Sequence, residues 1–350
     1  MKGSLVVIGR HAGRDIAARI VDGRLEDLAI APPDGVLAPE TVLRGTVGRP
    51  VKGLGGAFVD LGRHGTGFLR RTEGLRPGAP VVVQVTGVAE PGKAVPLGTR
   101  ILIKGALAIL TPQAPGINVS RGIRDPDLAD RLRAVAAGAL AGACEDLGAI
   151  IRTAAQDAAP EAVAAEITAL RSRAEQLDAA ASGPPAVLLP AAAPAELARR
   201  EWTTPPPDHI ADDAGAVADS GLPEMLDDLL SPETRLPGGA AMWIEPTRAC
   251  VAVDVNTGPD TSPAAALKAN IAAIRDLPRQ LRLRGLGGQV LIDFAPVPKR
   301  DRGTLEQALR AAFRREGGET VVAGWTPLGN YELQRRRDGV ALSAALGISP

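Results

Sequence analysis

Cysteine is nearly absent from this 350-residue chain: Cys144 and Cys250 lie far apart and outside any metal-ligand spacing. That excludes a disulfide framework and a cysteine-built zinc site, and it makes each a candidate small buried hydrophobe. Net charge is missing too, at +0. No global basic field marks a nucleic-acid partner, so any such contact must come from local clusters. No stretch approaches the roughly 20 apolar residues of a membrane span. The first apolar run, Leu5-Val6-Val7-Ile8, is only strand length, so no signal peptide is expected and a cytoplasmic setting is. Aromatics are scarce, with four Phe, three Trp and one Tyr. Two of them, Phe58 and Phe68, fall on neighbouring short apolar segments.

What is present is ordinary for a globular protein: 45% hydrophobic and 23% charged residues, which argues against disorder. Arg concentrates at Arg70-Arg71, Arg279 to Arg284, Arg314-Arg315 and Arg335 to Arg337. Its planar fork suits phosphate oxygens, although a GC-rich coding sequence would raise Arg, Ala, Gly and Pro together.

Along the chain, residues 5–8, 15–21 and 25–30 read as a three-stranded meander with Asp22-Gly23 as a turn. From 41 to 103 short Gly-punctuated strands at 43–47, 56–62, 66–69 and 81–88, with 100–103 closing the set, suggest a five-stranded OB-type barrel. A strand and turn at 107–117, a helix over 127–147 stopped by Gly148, a strand at 148–154 and a long helix over 160–181 follow. Residues 182–203 hold a short helix around Glu196, and 204–220 is the best linker candidate. The last third alternates strands at 242–245, 249–256, 289–294 and 320–323 with helices at 263–284 and 304–315. That alternation predicts a mostly parallel, helix-covered sheet.

The sharpest constellation lies there. Val251-Ala252-Val253-Asp254-Val255-Asn256 is an apolar strand ending in two polar groups, which a period of two places on one face. Val290-Leu291-Ile292-Asp293-Phe294 ends in a second acid. A right-handed β-α-β unit makes these strands parallel, so that Asp254 and Asp293 converge at the carboxyl edge of the sheet. Two carboxylates and an amide suit Mg²⁺, which prefers oxygen ligands and can polarise a phosphoryl oxygen. The plainer reading is an Asx turn at Thr257-Gly258. Asp293 within an apolar run counts for the site, because an unpaired buried carboxylate is costly.

The segments Val253-Asp254-Val255-Asn256-Thr257-Gly258, Arg279-Gln280-Leu281-Arg282-Leu283-Arg284-Gly285-Leu286-Gly287-Gly288 and Ile292-Asp293-Phe294 resemble, in order and spacing, the catalytic core of the bacterial ribonuclease E/G family. The resemblance implies an α/β multidomain fold of four subdomains, the first in two segments. These are an RNase H-like subdomain (1–36 and 184–235, the latter including the linker), an inserted S1-type OB barrel (37–103), a 5′-sensor region (104–183) and a DNase I-like catalytic subdomain (236–350). It also implies a Mg²⁺-dependent endoribonuclease acting on single-stranded RNA, in rRNA maturation or mRNA decay. Asp254 and Asp293 would hold the metal, and Asn256 would orient the scissile phosphate. In-line attack by water would leave a 5′-phosphate on the downstream product. By the same resemblance Phe58, Phe68 and Lys93 contact RNA, stacked bases contributing about 1–3 kcal/mol each, while Arg152 and Thr153 grip a 5′-terminal phosphate.

The resemblance also has gaps. The Cys-x-x-Cys zinc-link expected beyond Arg337 does not appear, so a homo-oligomer, if formed, is not expected to assemble through zinc. A second acid expected two residues after Asp293 is replaced by Ala295, and the loop after Asn256 is short and Pro-rich. These departures keep a second reading open, a non-catalytic RNA-binding protein. A third is a Mg²⁺-dependent phosphoesterase acting on small substrates, for which a stacking barrel has no use.

Overall fold

The computed structural model describes residues 3–90, 92–202, 205–316 and 319–348. The chain divides into two units, one formed by residues up to Pro33 with those from Asp208 onward, the other by Asp34–Pro207. The first unit opens with the predicted meander: β1 (Ser4–His11), β2 (Arg14–Val21) and β3 (Arg24–Ile30). Ala12-Gly13 and Asp22-Gly23 make the two turns, all four residues having positive φ (47°, 78°, 49° and 76°). Such two-residue turns match the right-handed twist of the strands they join.

The second unit holds the barrel. Its strands are β4 (Val42–Val51), β5 (Gly56–Asp60), β6 (Thr66–Leu69), β7 (Pro80–Val85) and β8 (Val95–Gly98). The order β4-β5-β6-β8-β7 closes through a β4–β7 pairing, consistent with an OB-like fold. Gly56 is required by close packing, since a Cβ there would lie 2.3 Å from the Leu69 carbonyl oxygen. The closing strand is 95–98 rather than the expected 100–103. Ile103 instead enters a neighbouring sheet, where burial of Ile101 and Ile103 against that sheet's helices outweighs barrel pairing.

That sheet comprises β9 (Ile103–Lys104), β10 (Ala108–Thr111), β11 (Ile117–Val119) and β12 (Gly148–Ile151). It packs beneath α1 (Pro126–Ala139) and α2 (Pro160–Ala179). Asp125 caps α1, accepting from the backbone N–H groups of Asp127 and Leu128 at 2.9 and 3.3 Å, with Pro126 at the first helical position. The helix stops well before the expected residue 147, turning out through Gly142 at φ 77°. A strand that the Pro- and Ala-rich composition conceals, β13 (Ala186–Leu189), adds to the outer side of β4, and α3 (Pro194–Glu201) follows.

Back in the first unit, the stretch read as a linker carries β14 (His209–Ala211) and α4 (Ala216–Asp219); its first residue, Thr204, lies outside the described residues. β14 runs parallel to β1, anchored by the Asp208 carboxylate accepting from the Ser4 N–H at 2.7 Å. α4 and α5 (Leu222–Leu230) bury their apolar faces on the meander.

The last sheet contains β15 (Glu233–Arg235), β16 (Ala241–Pro246), β17 (Val251–Asn256), β18 (Gly288–Asp293), β19 (Thr320–Trp325) and β20 (Tyr331–Arg335), in the order β15-β16-β17-β18-β20-β19. Only β17 and β18 pair in parallel, joined through α6 (Pro263–Leu283). The expectation of a mostly parallel sheet is therefore corrected. Four residues link β16 to β17 and five link β19 to β20, too few to cross over a sheet, so those pairs are antiparallel hairpins. α6 and α7 (Arg302–Glu316) cover one face around Val253, Val290, Ile292, Leu305 and Tyr331. On the other face, Trp243, Glu245, Asp254, Asn256, Gln289 and Asp293 are exposed. The short α8 (Leu342–Ala345) ends the described chain's helices.

Candidate functional site

Alternation along β17 buries Val251, Val253 and Val255 and turns Asp254 and Asn256 outward. In the parallel register Asp254 stands directly beside Asp293, one strand spacing or about 5 Å away. The Asn256 amide Nδ2 donates to Asp254 Oδ2 at 2.6 Å, and its amide oxygen has no hydrogen-bond partner among the described residues. Asp293 has no hydrogen-bond or ion-pair partner among the described residues. It is also exposed, so the burial penalty that pointed to it in the sequence does not apply. What singles it out is two neighbouring carboxylates held together without a basic partner. They and the amide form an all-oxygen donor set of the kind Mg²⁺ takes, usually with waters completing its shell. Among the described residues no third His, Cys, Asp or Glu completes a metal-holding cluster.

Behind the pair stands a residue that sequence reading missed. Asn270, on α6 and wholly buried, donates from Nδ2 to the Ala295 carbonyl at 2.8 Å and accepts from the Ala295 N–H at 3.0 Å. This double clamp fixes the chain two residues after Asp293, where the expected second acid is replaced by Ala295. A buried Asn in an apolar helix face was the available signal.

In the barrel Phe58 and Phe68 are cross-strand partners with ring centroids 5.4 Å apart, edge to face. Phe58 is 40% exposed and Phe68 half-buried, so neither is fully core. Phe68 also pairs with Pro96 of β8, three residues after Lys93. Lys93 is exposed and ion-paired to Glu90 at 2.7 Å.

Arg152 and Thr153 follow β12, but the arginine is occupied. Its Nη1 donates to the Gly105 carbonyl at 2.7 Å, and its fork grips both Glu201 carboxylate oxygens. Burial alone would raise the Glu201 pKa, yet the Arg152 hydrogen bond and the Arg152 and Arg200 charges hold it below the ordinary carboxylate range. Arg200 in turn bonds Glu40, which also takes Lys104 at 2.7 Å. Thr153 Oγ1 pairs with Ser120 Oγ at 2.7 Å. A terminal phosphate would have to displace Glu201 to reach Arg152. A partner 49 residues away leaves no periodic signal in the sequence.

The Arg279–Arg284 cluster is internal. Arg279 bonds Asp276 and the Leu25 carbonyl, and Arg282 bonds Asp27, Glu316 and the Glu26 carbonyl. Arg284 is buried against the Ser231 carbonyl, Thr234 and Gln280, and burial pushes its pKa down to about 10. Arg70, Arg71, Arg314 and Arg315 are exposed. Cys144 is exposed and Cys250 half-buried, against the expectation that both are buried.

Comparison with known proteins places these features in a family. The profile of the Ribonuclease E/G family matches residues 102–216 and 208–338. The chain is 27% identical to ribonuclease E of Nostoc sp. over 97% of its own length and 56% of that protein's. It is 27% identical to ribonuclease E of Escherichia coli over 98% of its length and 37% of that protein's. Against ribonuclease G of Salmonella typhimurium it is 26% identical, over 85% of its own length and 72% of the relative's. The chain thus spans about half or less of those two ribonuclease E proteins. Since the family profile covers most of it, including both acids and Asn256, the chain belongs to the Ribonuclease E/G family.

Proposed function

We propose that the chain is an endoribonuclease that hydrolyses phosphodiester bonds of single-stranded RNA at Asp254, Asn256 and Asp293. The observation that carries this reading is the registered pair of exposed carboxylates, Asp254 beside Asp293, with Asn256 tied to Asp254. Asp254 and Asp293 would hold Mg²⁺. When bound, that ion supplies charge neutralisation on the phosphate and a lowered pKa for water. With one amide hydrogen committed to Asp254, the Asn256 side chain is pre-oriented and keeps its second N–H for a phosphate oxygen. Attack by water breaks the P–O3′ bond, giving a 3′-hydroxyl and a 5′-phosphate. Phe58 and Phe68 offer faces for bases, with Lys93 near the strand that follows. The expected substrates are rRNA precursors and mRNA in the cytoplasm.

The deciding experiment is cleavage of a 5′-monophosphorylated, AU-rich single-stranded RNA with Mg²⁺ or with EDTA, beside Asp254→Asn and Asp293→Asn. Cutting that needs Mg²⁺ and vanishes in both variants supports the site. RNA binding without cutting in the unmutated protein would favour a non-catalytic RNA-binding role, the reading that Ala295 in place of a second acid keeps open.

A further inference from the structure

Sheet register places two further exposed side chains beside the acids. Trp243 of β16 is the antiparallel partner of Asp254, so Glu233, Trp243, Asp254 and Asp293 form one row across four strands. Met242 and Ile244 on either side are buried in the core, whereas Trp243 is 37% exposed and makes no ring contact with another aromatic or cation among the described residues. The adjacent row runs Arg235, Ala241, Asn256. Arg235 is exposed, with no hydrogen-bond or ion-pair partner among the described residues. Only the methyl of Ala241 separates it from Asn256 along the row.

We propose that Trp243 and Arg235 form a nucleotide subsite flanking Asp254 and Asp293, with Trp243 stacking one base of the bound strand and Arg235 pairing a backbone phosphate. The proposal rests on the endoribonuclease reading of the acids. Directly opposed side chains on neighbouring strands start about 5 Å apart, and diagonal ones about 7–8 Å. One nucleotide therefore reaches from a phosphate at the acids to the indole. The open part of the indole, on a face that also carries Glu245 and Glu332 in the row two residues away, offers a flat apolar surface to solvent. A base covers that surface whatever its identity, because every base has a π-face. Arg235 gives the same strand an electrostatic anchor beside a row of carboxylates, Glu233, Asp254 and Asp293, that repel phosphate.

The test combines variants with substrate analogues. A short RNA with a single cut site is made as a series in which each position near the cut is in turn abasic. For the unmutated protein, one abasic position is expected to lower kcat/KM about tenfold, in the range stacking supports. Trp243→Ala should lower kcat/KM on intact RNA by a similar factor, lose nothing further at that abasic position, and recover with Trp243→Phe. Arg235→Ala should flatten the log–log salt dependence of RNA binding by about one unit. Binding in EDTA gives a readout free of catalysis: indole quenching by RNA should persist in Asp254→Asn and fall sharply in Trp243→Phe. If Asp254→Asn abolishes cutting while Trp243→Ala cuts as well as the unmutated protein, or if the abasic and Trp243→Ala losses multiply independently, the subsite is refuted and the nuclease stands. If Asp254→Asn and Asp293→Asn still cut, the underlying reading fails first.

Discussion

Replacing Asn270 by alanine removes both hydrogen bonds to Ala295 and leaves two buried backbone groups without partners, since Asn270 is fully buried and Ala295 only 4% exposed. An unmade buried hydrogen bond costs about 1–3 kcal/mol. With partial relaxation the pair amounts to about 2–4 kcal/mol, a large share of the roughly 5–15 kcal/mol that holds a domain folded. Urea unfolding followed by Trp fluorescence in a Trp202→Phe background reads the unit containing Asn270, because Trp243 and Trp325 both belong to it. Asn270→Asp provides the internal control. It keeps the acceptor for the Ala295 N–H but sets a carboxylate oxygen against the Ala295 carbonyl, and burial raises the carboxyl pKa. The protonated form restores a donor, so stability is present at low pH and lost as pH rises through the raised pKa. The reasoning is refuted if Asn270→Ala lies within about 0.5 kcal/mol of the unmutated protein, or if Asn270→Asp unfolds at the same urea concentration at pH 5 and pH 8. Because the clamp sits two residues after Asp293, Asn270→Ala is also expected to lower kcat more than it raises KM.

Glu201→Ala frees the Arg152 fork, so any preference for 5′-monophosphorylated over 5′-hydroxyl RNA should rise, and Arg152→Ala should erase it; an unchanged ratio in Glu201→Ala would show that Glu201 does not block the arginine. Because its neighbours depress the Glu201 pKa, the ion pair contributes stability that is complete above the ordinary carboxylate range and lost as pH falls through the depressed folded value; acid titration of Glu201→Gln should lack that component. Phe58→Ala and Phe68→Ala should each weaken single-stranded RNA binding about tenfold without altering the Mg²⁺ dependence of cutting, which filter binding and cleavage assays separate.

The arginine content illustrates how position overrides composition. Arg279, Arg282 and Arg284 look like a phosphate-gripping run, yet they fasten α6 to β3, α7 and the segment around Ser231. Arg284 lies against neutral oxygens rather than a carboxylate, which is why burial dominates its pKa. An exposed cation one row from the acids is instead Arg235.

Short-range chemistry was legible in the residues themselves. Asp22-Gly23 permits the positive-φ turn of the meander, and apolar strands ending at Asn256 and Asp293 around a helix of about twenty residues dictate a parallel pair with both acids at one edge. Tertiary structure decided what depends on partners distant in the chain. β13 and β14 are short, weakly patterned segments that become strands only because β4 and β1 offer edges to pair with. Asp293 was singled out for a burial it does not have, because strand periodicity tells which residues share a face but not which face the helices cover. The capture of Arg152 by Glu201, the Asn270 clamp and the row joining Trp243 to the acids all join residues far apart along the chain or on different strands. Such contacts are chosen by packing, and no local periodicity encodes them.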